Sequence, residues 1–266
     1  MRPMAFMPPD LANLPSLLRQ RGLTVGTPLT VLEETTSTND EAKRAAKNGA
    51  THGATWMSER QTAGRGRQGR QWVSPPGENI LLSMLARVAC PPRRLPLLSL
   101  VVGLAARDAV ARSAPQADVR VKWPNDVVID GRKVCGILVE AQFAASQVEA
   151  LILGVGMNVH TRAFPDEIRE LATSVALHAP EPPSRATLVV DLFEALERDL
   201  PLVAARGLAP VHARLEAVDA LRGKRVRSDQ DVAGIAEGID DEGRLMVRRD
   251  DGVLERFVAG EVHLLR

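Results

Sequence analysis

Asp130-Gly131 lies between two apolar runs, Val127 to Ile129 and Val134 to Ala141. Asp-Gly flanked in this way is the strongest short-range signal for a β-hairpin. A hairpin makes its strands antiparallel neighbours, which argues against an all-parallel, doubly wound sheet. Further strand-like segments are Val31-Leu32, Ala54 to Ser58, Asn79 to Val88, Val119 to Trp123 and Val148 to Val155. Asn79 to Val88 is apolar on both faces and is expected to be central in its sheet. Helical spacing marks Leu11, Leu14, Leu17 and Leu18 ahead of Gly22, then Asp40 to Lys47 ahead of Asn48-Gly49. It marks Leu97 to Ser113, Pro165 to Leu171 and Ser184 to Leu200 as well. Thr38 and Glu41 have capping-box spacing. The expected class is α+β, a mixed or antiparallel sheet with flanking helices.

Around Leu221 the texture changes. Val226, Val232 to Ile239, Arg244 to Arg248, Val253 to Val258 and Val262 to Leu265 are short strand-like runs. Asp240-Asp241-Glu242-Gly243 and Asp250-Asp251-Gly252 separate them as turns. The expected organisation is a main domain over residues 1–220, with 1–30 as an N-terminal extension, and a small β-barrel over 221–266.

Composition excludes several classes. A net charge of +1 gives no global reason to bind DNA or an anionic membrane, and without tyrosine a base-stacking platform is not expected. Cys90 and Cys135 do not make a disulfide framework. No apolar run is long enough to span a bilayer, and the expectation is a soluble, cytoplasmic protein. His52, His160, His178, His212 and His263 lack metal-ligand spacing, so no protein-built metal site is expected; a Gly-x-Ser-x-Gly elbow is absent too.

Residues 64 to 70 read Gly-Arg-Gly-Arg-Gln-Gly-Arg. Guanidinium forks suit phosphate and carboxylate oxygens, and glycines let backbone N–H groups approach an anion. Gly64-x-Gly66-x-x-Gly69 also matches the dinucleotide fingerprint. Gln71-Trp72-Val73-Ser74-Pro75-Pro76-Gly77 breaks a helix where that motif needs one, however, and no acidic residue follows at the ribose distance. A nucleic-acid patch or a plain solvated loop remains open on the motif alone. Lys122-Trp123-Pro124-Asn125-Asp126 gathers a cation, an indole, an amide and a carboxylate at a strand end. Gly136, Gly154 and Gly156 interrupt apolar strands, where glycine often marks a close approach.

These segments occur in one order: Ser37-Thr38-Asn39, Gln61 through Trp72, Lys122 to Asp126, Lys133-Val134-Cys135-Gly136-Ile137-Leu138-Val139-Glu140, and Gly154 to Asn158. Together they closely resemble the bacterial biotin protein ligases, also called biotin–[acetyl-CoA carboxylase] ligases. The resemblance runs from about Val31 to the C-terminus. It implies a class II synthetase-like catalytic domain and an SH3-like C-terminal domain. It further implies a two-step ligase that uses biotin, ATP and Mg²⁺ to form biotinyl-5'-AMP, then biotinylates a lysine of a biotin carboxyl carrier domain.

By the same resemblance, Ser37, Thr38 and Gln61 would hold the ureido end of biotin, with Asn39 beside them. The loop carrying Gly64, Arg65, Gly66, Arg67 and Gly69 would wrap biotin and the adenylate phosphate. Trp72 would pack near adenine and biotin, and Asn125 would serve the nucleotide. Lys133 would reach the biotin carboxylate and α-phosphate, and Gly136 and Gly154 would give the ligand room. Lys133, Arg65 and Arg67 are the expected catalytic cations, and Asp126 is expected to deprotonate or orient the incoming lysine. Ahead of the hydroxyl cluster only one helix is in view, so a DNA-binding winged helix and repressor activity are not expected. No DNA or membrane partner is expected, and a homodimer is left open. The rival readings are a lipoate or octanoate ligase and a non-catalytic binding module.

Overall fold

The structure is a computed structural model and describes residues 6–265. Residues 1–5 of the expected extension and Arg266 of the expected C-terminal unit lie outside the described residues.

The seven strands of the larger sheet are β1 (Leu29–Thr35), β2 (Thr55–Gln61), β3 (Ile80–Ala86), β4 (Val119–Lys122), β5 (Asp126–Ile129), β6 (Arg132–Ala144) and β7 (Gln147–Met157). Their order is β1-β2-β3-β7-β6-β5-β4, with β1 and β2 parallel and every other pair antiparallel. The expected β5–β6 hairpin is present. Its turn residues Asp130 and Gly131 both have positive φ, 50° and 79°, as a two-residue turn matched to strand twist requires. β3 is wholly buried, as its two apolar faces imply.

The two faces of this sheet differ. On one face α3 (Leu95–Ser113) packs against β4, β5 and β6, and α4 (Arg185–Arg206) lies against α3. Gly103 of α3 lets the helix approach Val121 and Ile137, which fixes Cys135, Ile137 and Val139 of β6 toward that core. The other face carries α2 (Thr38–Lys47), packed on β2, β3 and β7. The remaining helices, α1 (Leu14–Gln20) and α5 (His212–Ala217), are short.

Several local expectations are corrected. Pro165 to Leu171 is a run of turns, because Ile168 and Leu171 stay exposed and offer a helix no face to bury. Instead the segment supports β6: Lys133 N donates to Leu171 O at 2.7 Å and Thr173 N donates to Lys133 O at 2.9 Å. The Thr38–Glu41 capping box does not form. Ser37 is the N-cap residue and makes no side-chain cap bond, while Glu41 accepts from the Thr35 hydroxyl at 2.7 Å. The helix α5 carried no clear periodic signal because it is only 6 residues long.

The C-terminal strands are β8 (Arg225–Ser228), β9 (Ala233–Ile239), β10 (Leu245–Arg248), β11 (Leu254–Phe257) and β12 (Val262–Leu264). They form an antiparallel sheet in the order β11-β10-β9-β8-β12. In place of a closed barrel, the ladder is open between β11 and β12 among the described residues. The chain leading into this second sheet docks on β4. Val121 exchanges backbone bonds with Val218 and Ala220, and buried Trp123 Nε1 donates to Gly243 O at 3.0 Å. Trp123 therefore serves packing and docking, while its motif neighbours Asn125 and Asp126 face a cleft.

Arg185, 2% exposed at the start of α4, joins three distant segments. It donates to Asp10 at 2.6 Å, to Glu59 at 3.0 Å and to Asn79 O at 3.1 Å. Replacing it by methionine leaves the half-buried Glu59 without its cation and should cost about 3 kcal/mol in denaturant unfolding. The hydrogen bond from Arg185 holds the Asp10 carboxyl below the usual aspartate range. Its contribution is present above the unfolded-state value and lost as pH falls through the lowered folded-state value. The wild-type advantage over Arg185→Met should shrink in acid.

Candidate active site

A cleft of about 130 Å³ opens on the α2 face of the sheet, and its floor is a pair of strands that carry glycine at 136, 154 and 156. Gly136 of β6 is the cross-strand partner of Gly156 of β7, and Leu138 partners Gly154. Because side chains alternate along a strand, these positions share one face. A Cβ at Gly156 would lie 2.6 Å from the Trp72 indole, and one at Gly136 would lie 2.9 Å from it. The indole rests on bare backbone, and alanine at 156 has no room. A Cβ at Gly154 would come within 2.3 Å of Asn39 Oδ1.

One end of the cleft is neutral and polar. Ser37, Thr38 and Asn39 form the N-terminus of α2, and Gln61 ends β2 beside them. Thr38 N donates to Gln61 Oε1 at 2.7 Å, and the Thr38 hydroxyl lies 3.1 Å from the same oxygen. Ser83 of β3 stands behind them, 2.7 Å from Thr38 Oγ1 and 2.5 Å from Asn39 Oδ1. Ser83 is a lone hydroxyl in an apolar strand, an available signal that the sequence reading passed over.

The other end is a basic rim. Trp72 N donates to Gly64 O at 3.0 Å and Gly66 N to Arg70 O at 2.7 Å, so residues 64–72 fold into a small hairpin. Gly64 lets that hairpin close, since a Cβ there would meet Trp72 O at 2.4 Å. Gly69 supplies its positive φ of 74°. Both glycines border a larger groove of about 700 Å³ beyond the loop; the inner cleft is lined by Gly66, Arg65, Arg67 and Arg70. Arg65 Nη2 reaches Asp40 at 2.6 Å, Arg67 Nη1 donates to Asn125 Oδ1 at 3.1 Å, and Arg70 pairs with Glu261 of the C-terminal sheet. Arg70, Glu261 and Gly156 join the expected set.

Lys133 completes the rim. Its Nζ lies 2.7 Å from Asp126 Oδ1 and 5.6 Å from the centre of the Trp72 ring. Asn125 is fixed by Nδ2 donating to Ile137 O at 2.8 Å and by its own carbonyl accepting from Ile137 N at 2.9 Å. Lys122 sits behind this group, where burial pushes its pKa down against the pull of Asp126. Cys135 is fully buried and its thiol is pushed up by burial, which leaves it inert. Ser37, Thr38, Asn39, Gln61, Arg65, Gly66, Arg67, Trp72, Asn125, Asp126, Lys133, Gly136 and Gly154 thus come together around one cleft from five separate stretches of chain.

A neutral hydrogen-bonding pocket, a flat floor and a cluster of cations suit a ligand with a polar head, an apolar middle and an anionic tail. Trp72 Nε1 is buried and has no acceptor among the described residues, so it too is available to a bound molecule. Among the described residues no group of three or more His, Cys, Asp or Glu side chains could hold a metal ion, and no helix is long and apolar enough to cross a membrane.

Residues 31–158 match the model of the Biotin/lipoate A/B protein ligase family, and residues 225–265 match the Biotin protein ligase C terminal domain. The chain is 39% identical over 226 residues to the biotin--[acetyl-CoA-carboxylase] ligase of Mycobacterium tuberculosis, covering 82% of each. It is 33% identical over 229 residues to the bifunctional ligase/repressor BirA of Bacillus subtilis, covering 84% of this chain and 70% of that one. Its fold matches the biotin protein ligase of Aquifex aeolicus, solved with biotin and ATP, at a TM-score of 0.76 and 26% identity over 90% of this chain and 99% of that one. With the sequence motifs folded around one cleft and relatives matched along most of their length, the chain belongs to the biotin protein ligase family.

Proposed function

We propose that this protein activates biotin with ATP to biotinyl-5'-AMP and pyrophosphate, then transfers biotin to a lysine of a biotin carboxyl carrier domain of acetyl-CoA carboxylase. The observation that carries this reading is the polarity of one cleft: a neutral pocket at Ser37, Thr38, Asn39 and Gln61, a glycine floor, and cations at Arg65, Arg67 and Lys133. The uncharged ureido head fits the first, the apolar acyl chain the second, and the carboxylate and α-phosphate the third.

Joining a carboxylate to an α-phosphate brings like charges together as negative charge builds on phosphorus. Preorganised cations at Arg65, Arg67 and Lys133 offset that charge more effectively than water, which must reorient. Their present carboxylate and amide partners hold the side chains at the rim before the ligand arrives. Among the described residues no group of three or more acidic, histidine or cysteine side chains is placed to cage a Mg²⁺ by itself. A magnesium ion would come with the nucleotide phosphates as part of the substrate.

The second step needs a neutral amine, and an unperturbed lysine is charged at neutral pH. Asp126 lies at the reacting end and is assigned to accept or direct that proton. The two buried cysteines suit a reducing cytoplasm. For a lipoate or octanoate ligase the hydroxyl and amide cluster at Thr38 and Gln61 would face a head without N–H groups, which weighs against that reading.

Labelled biotin should pass to a carrier domain, and lipoate should not support ATP–pyrophosphate exchange; the reverse preference would overturn the assignment. Lys133→Ala should slow biotin-dependent exchange about 10²–10³-fold. Asp126→Asn should slow transfer from preformed adenylate by about 10²-fold, and unchanged transfer would remove its assigned role. The loop buries little, so trypsin should cut after Arg65, Arg67 or Arg70 in the free protein, and biotin with ATP should suppress cutting. Equal cleavage with and without ligands would refute ligand-ordered closure.

A further inference from the structure

Glu140 has no assigned role in the reaction, yet it ends a continuous chain of hydrogen bonds that starts in the polar pocket. It lies on the same face of β6 as Gly136 and Leu138. Asn39 Nδ2 donates to Glu140 Oε2 at 2.7 Å, Lys43 Nζ pairs with Oε1, and Arg65 Nη2 reaches Oε2 at 3.3 Å. One carboxylate therefore joins α2, β6 and the arginine loop.

An ionised carboxylate only accepts. Asn39 must turn its NH₂ toward Glu140, and this leaves Asn39 Oδ1 facing Ser83 Oγ at 2.5 Å. Ser83 shares its single proton between that oxygen and Thr38 Oγ1, 2.7 Å away, while the Thr38 hydroxyl donates to Gln61 Oε1 at 3.1 Å. Thr38 Oγ1, which lines the cleft, keeps one lone pair for a donor from the ligand. Burial raises the Glu140 carboxyl, but Lys43 and Asn39 pull it net below the usual glutamate range, so the acceptor-only form holds at neutral pH.

We propose that Glu140 is a positioning residue that fixes the direction of this hydrogen-bond chain, so that the pocket presents an acceptor to an N–H-bearing head group, and that ties the pocket to the loop through Arg65. This rests on the reading of the cleft as a biotin site. Glutamine at 140 can donate as well as accept, which frees Asn39 to flip and removes one of the two carboxylate charges, beside Asp40, that hold Arg65.

The test uses the full chain with Glu140→Gln and Lys43→Met, which loses only the lysine contact. In biotin-dependent ATP–pyrophosphate exchange, Glu140→Gln should raise the KM for biotin about tenfold while kcat changes less than about threefold. Lys43→Met should keep KM within about twofold. In the free protein, trypsin should cut the loop of Glu140→Gln about two- to fivefold faster than wild type, since the lost tie is a partly exposed ion pair. An unchanged biotin KM with unchanged loop cleavage would overturn the proposal, as would a Lys43→Met protein behaving like Glu140→Gln. A wild-type protein without biotin-dependent exchange would sink the functional reading alone, and the free-protein cleavage rates would still decide the tie between Glu140 and Arg65.

Discussion

The antiparallel pairing of β6 with β7 is the constraint on which the site depends. Its register sets Gly136 opposite Gly156 and Leu138 opposite Gly154, and so clears a strip of backbone on the α2 face. A shift of one residue would turn that strip into the α3 core and bring Ile137 and Val155 out in its place. Register is held by the rest of the fold: the tight Asp130-Gly131 turn at one side of β6, and β3 pairing along β7 at the other. The buried face toward α3 supplies the driving force, because slipping it would expose Ile137, Leu151, Leu153 and Val155.

Onto that strip the chain lays groups of two kinds. Fixed groups come from regular elements: the N-terminus of α2, the ends of β2 and β5, and Lys133 on β6, whose backbone is braced by Leu171 and Thr173. The arginine loop is different, being polar, half exposed and held at its guanidinium tips by Asp40, Asn125 and Glu261. Ties of that kind are weak individually and salt-sensitive. A rigid floor with a lightly tethered cover is a division of labour that lets a ligand enter and then be shielded from water.

Much of this was legible in the residues. Asp130-Gly131 fixed the hairpin, Asn79 to Val88 read as a central strand, and the turn signals after Leu221 marked the short C-terminal strands. The misreadings share a cause. Pro165 to Leu171 has helical spacing but no surface to bury it, and Thr38 has capping-box spacing but faces Gln61 instead. In each case a contact with a residue far away in sequence outcompeted a local preference worth only about 1 kcal/mol. Ser83 carried a signal as the one hydroxyl in an apolar strand, whereas Glu140 and Glu261 gain their partners only through long-range pairing that their local sequence does not mark.

The sequence by itself determined the class of the fold, the order of most elements and the chemical types gathered for the site, since turn chemistry, periodicity and motif order are local properties. Only the tertiary structure decided which of those residues meet. Strand register chose the glycines that share a face, the packing of α2 chose Ser83 and Glu140 as partners of Asn39, and the docking of the C-terminal sheet brought Glu261 to Arg70. These are pairings across long stretches of chain, and they are selected by burial of the whole core, which no local stretch of residues encodes.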